Sequence, residues 1–244
     1  MNTLTVLSRS PNFSNSFKKY LVGASLALTV FAPLAMYGSA SAAVPQSSWE
    51  IGSEFDDQAN PAPTVWSYGY ETTLNNTFNL STNPVNAFSG ALTGWEETND
   101  GTGSLVIHNV APYPNTFTAA GGPVYYGPHQ LAQHPSQTCH YSDVRFTVPT
   151  KGRYKISGQW YGMDDNGVRT TTDVHVSVNG VQAFAGNIDL PLGQMSASFT
   201  SINTAMLNVG DTIDFQVGCG DNGAWNYDST ALNGVIELLG KKKK

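Results

Sequence analysis

The chain has 244 residues, with 12 Lys and Arg against 18 Asp and Glu and a formal net charge of −6. Basic stripes are missing from its body, which excludes nucleic acid and anionic lipid as partners, because both are held by clustered Lys and Arg. Charged residues make up only 12% of the chain, whereas Gly, Asn, Thr, Ser and the aromatics are plentiful and widely spread, a composition of secreted β proteins rather than of disordered chains.

Residues 1–42 read as an export signal. Arg9, Lys18 and Lys19 precede an apolar stretch at 21–36, and Ala40-Ser41-Ala42 supplies the small residues of a cleavage site. The stretch is short for a membrane span and contains Pro33. Cleavage after Ala42 removes three basic and no acidic residues, leaving a more acidic mature chain. A short leader is expected at 43–54, one domain at 55–239, and a Lys tail at 240–244.

Strand-like segments follow at 65–71, 77–80, 94–96 and 104–110, separated by spacers rich in Asn, Gly, Pro and Thr. Residues 111–133, with four prolines and three glycines, read as a long irregular excursion of the kind that carries function on a sandwich, or as a rim loop. The alternation then tightens. Residues 143–148, a turn at Pro149-Thr150-Lys151-Gly152, and residues 153–161 predict a hairpin. Along 172–178, Val174, Val176 and Val178 share one parity while Asp173, His175 and Ser177 share the other, and Asn179-Gly180 predicts a tight hairpin turn. Further strands are expected at 182–185, 196–202, 212–217 and 231–239. No segment of the mature chain keeps a helical period. The expectation is an all-β fold, an antiparallel two-sheet sandwich of jelly-roll type.

Cys139 and Cys219 are the only cysteines, and in an exported chain an even count reads as a disulfide. They flank segments expected to be antiparallel neighbours. Neither belongs to a paired-Cys metal motif.

The run Val144-Arg145-Phe146-Thr147-Val148-Pro149, with Lys151-Gly152-Arg153-Tyr154, Asp173-Val174-His175-Val176, Asn179-Gly180 and Gly210-Asp211-Thr212-Ile213-Asp214-Phe215, resembles jelly-roll carbohydrate-binding modules. It is also similar to exported bacterial sandwich proteins, many of which end in a PEP-CTERM sorting tail, although Leu238-Leu239-Gly240 here runs straight into lysines. The resemblance implies a non-catalytic glycan-binding or matrix role.

Sugar recognition needs aromatic faces for CH groups beside side chains that read hydroxyls. The segment Trp225-Asn226-Tyr227-Asp228 has that mixture, as does Gln159-Trp160-Tyr161 leading to Asp164-Asp165-Asn166. Trp160 shares parity with Tyr154 and Ile156 and reads as core, with Gln159 and Tyr161 on the other face. Asp173, His175, Asp214, Gln216, Gln159, Tyr161 and Arg145 all have polar parity, and form either one hydrogen-bonding platform or a face of cross-strand pairs such as Arg145 with Asp173 or Asp214. Asp57 and Asp228 are candidates for a structural calcium ion, or are turn residues. His134-Pro135 reads as a packed loop histidine. No cofactor is expected otherwise.

Three functions are therefore weighed: polysaccharide or cell-surface glycan binding, a self-associating structural or adhesive matrix component, and glycan degradation. No reaction-specific motif supports the last.

Overall fold

The computed structural model describes residues 46–240 except 63, 88–89, 120–121 and 165–169. The expected export signal, the lysines 241–244, and Asp165 and Asn166 lie outside the described residues. Among the described residues no helix is long and apolar enough to cross a membrane.

The strands are, in chain order, β1 (Ser48–Ile51), β2 (Trp66–Glu71), β3 (Asn79–Leu80), β4 (Asn83–Ala87), β5 (Leu92–Glu96), β6 (Leu105–Asn109), β7 (Asn115–Ala119) and β8 (Gly122–Tyr126). They continue as β9 (Leu131–His134), β10 (Tyr141–Thr147), β11 (Arg153–Gly162), β12 (Thr171–Val178), β13 (Val181–Asp189), β14 (Ser196–Asn203), β15 (Thr212–Val217) and β16 (Thr230–Leu239). The last eight divide between two layers, changing layer at every connection except the β12–β13 hairpin, in the orders β14-β11-β16-β9 and β13-β12-β15-β10, which is jelly-roll topology. The remaining strands enlarge it. Strands β6, β5 and β4 extend the first layer beyond β9, β1 also pairs with β16, and β2 and β3 extend the second layer beyond β10. All these pairings are antiparallel.

The alternation of the sequence sets the interior. Val174 and Val176 of β12, Ile213 and Phe215 of β15 and Val144 and Phe146 of β10 are all fully buried between the layers. From the other sheet come Tyr154, Ile156 and Trp160 of β11 and Phe199 of β14. Trp160 lies 4.8 Å from Phe199 and 6.2 Å from Phe215, ring centre to ring centre. Ring pairs of this kind each add about 0.5–1.5 kcal/mol beyond the area they bury. One polar side chain crosses the core: Gln133 of β9 donates from Nε2 to the carbonyls of Ser142 and Phe215 in the opposite sheet and accepts from Trp160 Nε1. Its amide is fully engaged, so it links the layers without an orphaned buried group.

The turn Asn179-Gly180 joins β12 to β13 with both residues at positive φ, 51° and 71°, and Val178 opposite Val181. This is the expected two-residue hairpin, because Asn and Gly tolerate the left-handed region that the turn demands. Cys139 and Cys219 form a disulfide with a Cα–Cα separation of 5.4 Å, at the ends of the neighbouring strands β10 and β15.

Three expectations need correction. β10 and β11 are not a hairpin: β10 pairs with β2 and β15, and β11 with β14 and β16, so the Pro149–Gly152 turn arches from one layer to the other. Turn chemistry reports that the chain reverses, but not which strand it then pairs with. The expected leader at 43–54 contains β1, whose Trp49 and Ile51 are buried in the core. The excursion at 111–133 holds the hairpin β7–β8 and the start of β9.

Candidate ligand-binding site

A second apolar cluster lies outside the main core. Leu92, Ile107, Ala132 and Ala231, from the outward face of the larger sheet, pack with Val124 and Tyr126 of β8 and with Met163. The β7–β8 hairpin thus lies over that face. Asn109, fully buried, fixes the base of the hairpin: its Nδ2 donates to the carbonyls of Tyr113, Tyr126 and Gly127, and its Oδ1 accepts from the Ala111 amide and Asn115 Nδ2.

Beside this cluster is a cavity of about 390 Å³, within the range of small-molecule sites. Its floor comes from Val85, Leu105 and Ile107 on the sheet, one wall from Phe117, Val124 and Tyr126, and another from Trp225, Asn226 and Tyr227. Trp225 and Tyr227 are half-buried there and Asn226 is exposed. Tyr227 has φ 70°, a left-handed backbone that non-glycine residues adopt rarely and that turns the loop at this point. His134 stands edge-on to Trp225 at 5.7 Å. Its Nδ1 is 2.8 Å from the Pro135 carbonyl and so carries the proton, leaving Nε2 as an acceptor; burial lowers its pKa and keeps the ring neutral. The reading of His134 as a packed loop residue is corrected: it closes β9 and lines the cavity.

Two carboxyl groups also line the cavity. Glu96 Oε1 accepts from the Gly103 amide and from Thr98 Oγ1, both at 3.3 Å, and burial raises its pKa. Asp164 Oδ2 accepts from the Ser229 amide at 2.8 Å. The lining is thus mostly apolar and aromatic, with a few hydrogen-bonding groups, and can hold a small amphipathic ligand by stacking and by polar contacts together.

The structure divides the residues singled out from the sequence. Asp228 is buried behind its loop and does not line the cavity: Oδ1 accepts from the Thr171 amide at 3.0 Å. Burial, reinforced by the charges of Asp164 and Asp173, raises its pKa to about 8. Gln159 and Tyr161 lie on the outward face of the larger sheet, opposite Asn233 and Ala231, with Tyr161 packed on the second cluster. Asp173, His175, Asp214, Gln216 and Arg145 lie on the outward face of the other sheet. The single platform is therefore corrected, since its members occupy opposite sides of the sandwich.

On that second face the polar groups bind one another. Tyr141 donates to Asp173 Oδ2, which is also 2.8 Å from His175 Nε2, and His175 Nδ1 is 2.9 Å from Gln182 Oε1. Despite the desolvation of Asp173, these partners and the Gly220 amide hold its pKa below the usual carboxylate range. Arg145 donates to both oxygens of Asp214, and Phe78 stacks on its guanidinium at 4.1 Å. His175 is largely buried, so this face is a closed network rather than an open one. Asp57 accepts only from Gln58 Nε2 and belongs with Asp228 to no group of three metal-ligating side chains among the described residues.

Sequence reasoning missed Phe117 and Tyr126, because β7 and β8 carry weak alternation, and Glu96, which falls within the expected strand at 94–96 but has no motif around it.

No family model matches the chain and no curated protein is similar to it. Among solved structures it is similar to the second CBM51 and INT domains of Clostridium perfringens ZmpB in complex with GlcNAc, at 10% identity and TM-score 0.34, over 62% of this chain and 39% of that one. It is also similar to CBM51 from Clostridium perfringens GH95 in complex with methyl-galactose, at 12% and 0.34, over 66% of this chain and 95% of that one. A third is the arabinose-bound GH51 α-L-arabinofuranosidase, at 13% and 0.37, over 72% and 27%. The chain spans well under half the length of the first and third.

Proposed function

We propose that this protein is an exported, non-catalytic carbohydrate-binding sandwich whose ligand enters the cavity between the β7–β8 hairpin and the Trp225–Tyr227 loop. One observation carries the reading: two half-buried aromatic rings, Trp225 and Tyr227, border a cavity of about 390 Å³ whose polar lining includes Glu96, His134, Asp164 and Asn226. A sugar offers CH faces to the rings and hydroxyls to the polar groups, so both parts of the lining have a partner. Glu96 and Asp164 serve as hydroxyl acceptors.

Titration of the protein against a panel of soluble polysaccharides tests this. Trp225→Ala and Tyr227→Ala each weaken binding at least tenfold while the thermal transition shifts little, because both rings are already partly in solvent. Binding that is unchanged in both variants rules out this cavity. Release of reducing sugar by the wild type replaces the binding role with a hydrolytic one.

A self-associating matrix component is the second reading, favoured by the exposed apolar side chains Val181, Leu192 and Met195 near the β13 edge. Concentration-dependent oligomers without glycan binding would select it.

A further inference from the structure

The outward face of the smaller sheet holds a group that the glycan reading does not use. Glu71 of β2, Asp143 of β10 and Asp214 of β15 are all buried, and one carboxylate oxygen from each lies within 4.8 Å of the others. Two of the three have partners. Glu71 Oε2 accepts from Gln216 Nε2 at 3.0 Å and from the Asn76 amide at 3.2 Å, and Asp214 is held by Arg145 and Thr212.

Asp143 differs. It is fully buried, and neither Oδ1 nor Oδ2 has a hydrogen-bond partner. The Phe215 backbone amide favours the charged form of this carboxyl but does not meet hydrogen-bond geometry with either oxygen. Arg145 supplies one positive charge to three carboxylates, being bonded to Asp214 and 3.9 Å from Glu71. With all three carboxylates ionised, two negative charges remain without a counter-charge.

We infer that Glu71, Asp143 and Asp214 form a binding site for one hard divalent cation, calcium, on the outward face of the smaller sheet. Calcium takes oxygen ligands at about 2.3–2.6 Å, so oxygens on one ion stand no more than about 5 Å apart, and the carboxylate spacing falls inside that limit. The donors are all carboxylates, without thiolate or imidazole, which selects a hard ion over zinc or copper. Two positive charges neutralise the cluster, and the ion supplies both Asp143 oxygens with the partner that the protein lacks. Three strands from different parts of the chain would thereby be tied together, so the ion acts on stability.

The test uses the whole protein, stripped of metal by a chelator and dialysed into calcium chloride at neutral pH. Expected are one bound calcium per chain and a midpoint of thermal unfolding raised by about 5–10 °C at a hundredfold excess over the dissociation constant. Asp143→Asn, close in shape but uncharged, raises the dissociation constant at least tenfold, and Glu71→Gln does the same should the first variant fold poorly. Trp225→Ala, on the other side of the sandwich, keeps the full calcium response. Wild-type protein that binds no calcium and shows no thermal shift overturns the site. Undiminished affinity in both carboxylate variants overturns it as well.

Discussion

At the scale of single residues, Arg145 pairs with Asp214 across β10 and β15 as strand parity suggests, whereas His175 finds partners that parity does not show. The two-residue beat placed Val176 inside and His175 outside correctly, yet it gave no sign that His175 would be covered and bonded to Asp173 and Gln182. Asp228 makes the same point with a measurable consequence. Its raised pKa, about 8 against an ordinary 3.8, means that between those values the folded protein binds a proton that the unfolded chain has released. Stability therefore falls as pH climbs from about 4 to about 8, and levels off above. Glu96, also raised by burial, adds to the same slope. Asp228→Asn keeps the acceptor for the Thr171 amide but has no charge to bury. Thermal melts across pH 5–8.5 should show a shallower decline in the variant and a higher midpoint at pH 8, by about 2–4 °C for every kcal/mol relieved. An unchanged slope would mean that Asp228 titrates normally.

At the scale of elements, strands with strong alternation and a turn of defined chemistry were readable in advance, as the β12–β13 hairpin shows. Strands β4, β7 and β8 were not, because their edges rest on a local apolar patch and on Asn109 rather than on a period of their own. The cavity takes Val85, Phe117, Val124 and Tyr126 from those strands, so its β7–β8 wall could not be read from sequence, whereas Asp164 and the Trp225–Tyr227 wall could. That wall has a second dependence. The loop leaves β15 directly after Cys219, so the disulfide to Cys139 fixes its starting point. With a sequence separation of 80, the chain-entropy model gives the bridge about 4–5 kcal/mol. Replacing both cysteines by serine should lower the melting midpoint by about 10–15 °C. Reductant should lower the wild-type midpoint by a similar amount and leave that of the double-serine protein unchanged. A fall of under 3 °C would show that pairing of β10 with β15 already supplies the constraint.

At the scale of the molecule, the eight jelly-roll strands β9–β16 look sufficient by topology and are not so by packing. Trp49 of β1 and Trp66 and Tyr68 of β2 are buried in the shared core, and Trp49 and Trp66 each meet Phe146 at 5.2 Å. Removing a buried ring of this size costs about 3–5 kcal/mol, and three such losses match the whole stability of an ordinary domain, about 5–15 kcal/mol. Deleting β1 to β8 also bares the edges of β9 and β10, and unpaired edges invite association. A fragment of residues 128–240 should therefore give no cooperative thermal transition and should elute as aggregate, whereas residues 46–240 melt in one step as a monomer. A monomeric, cooperatively melting fragment would place the folding unit in the jelly roll alone. The added strands would then be an accessory layer that serves only to build the cavity.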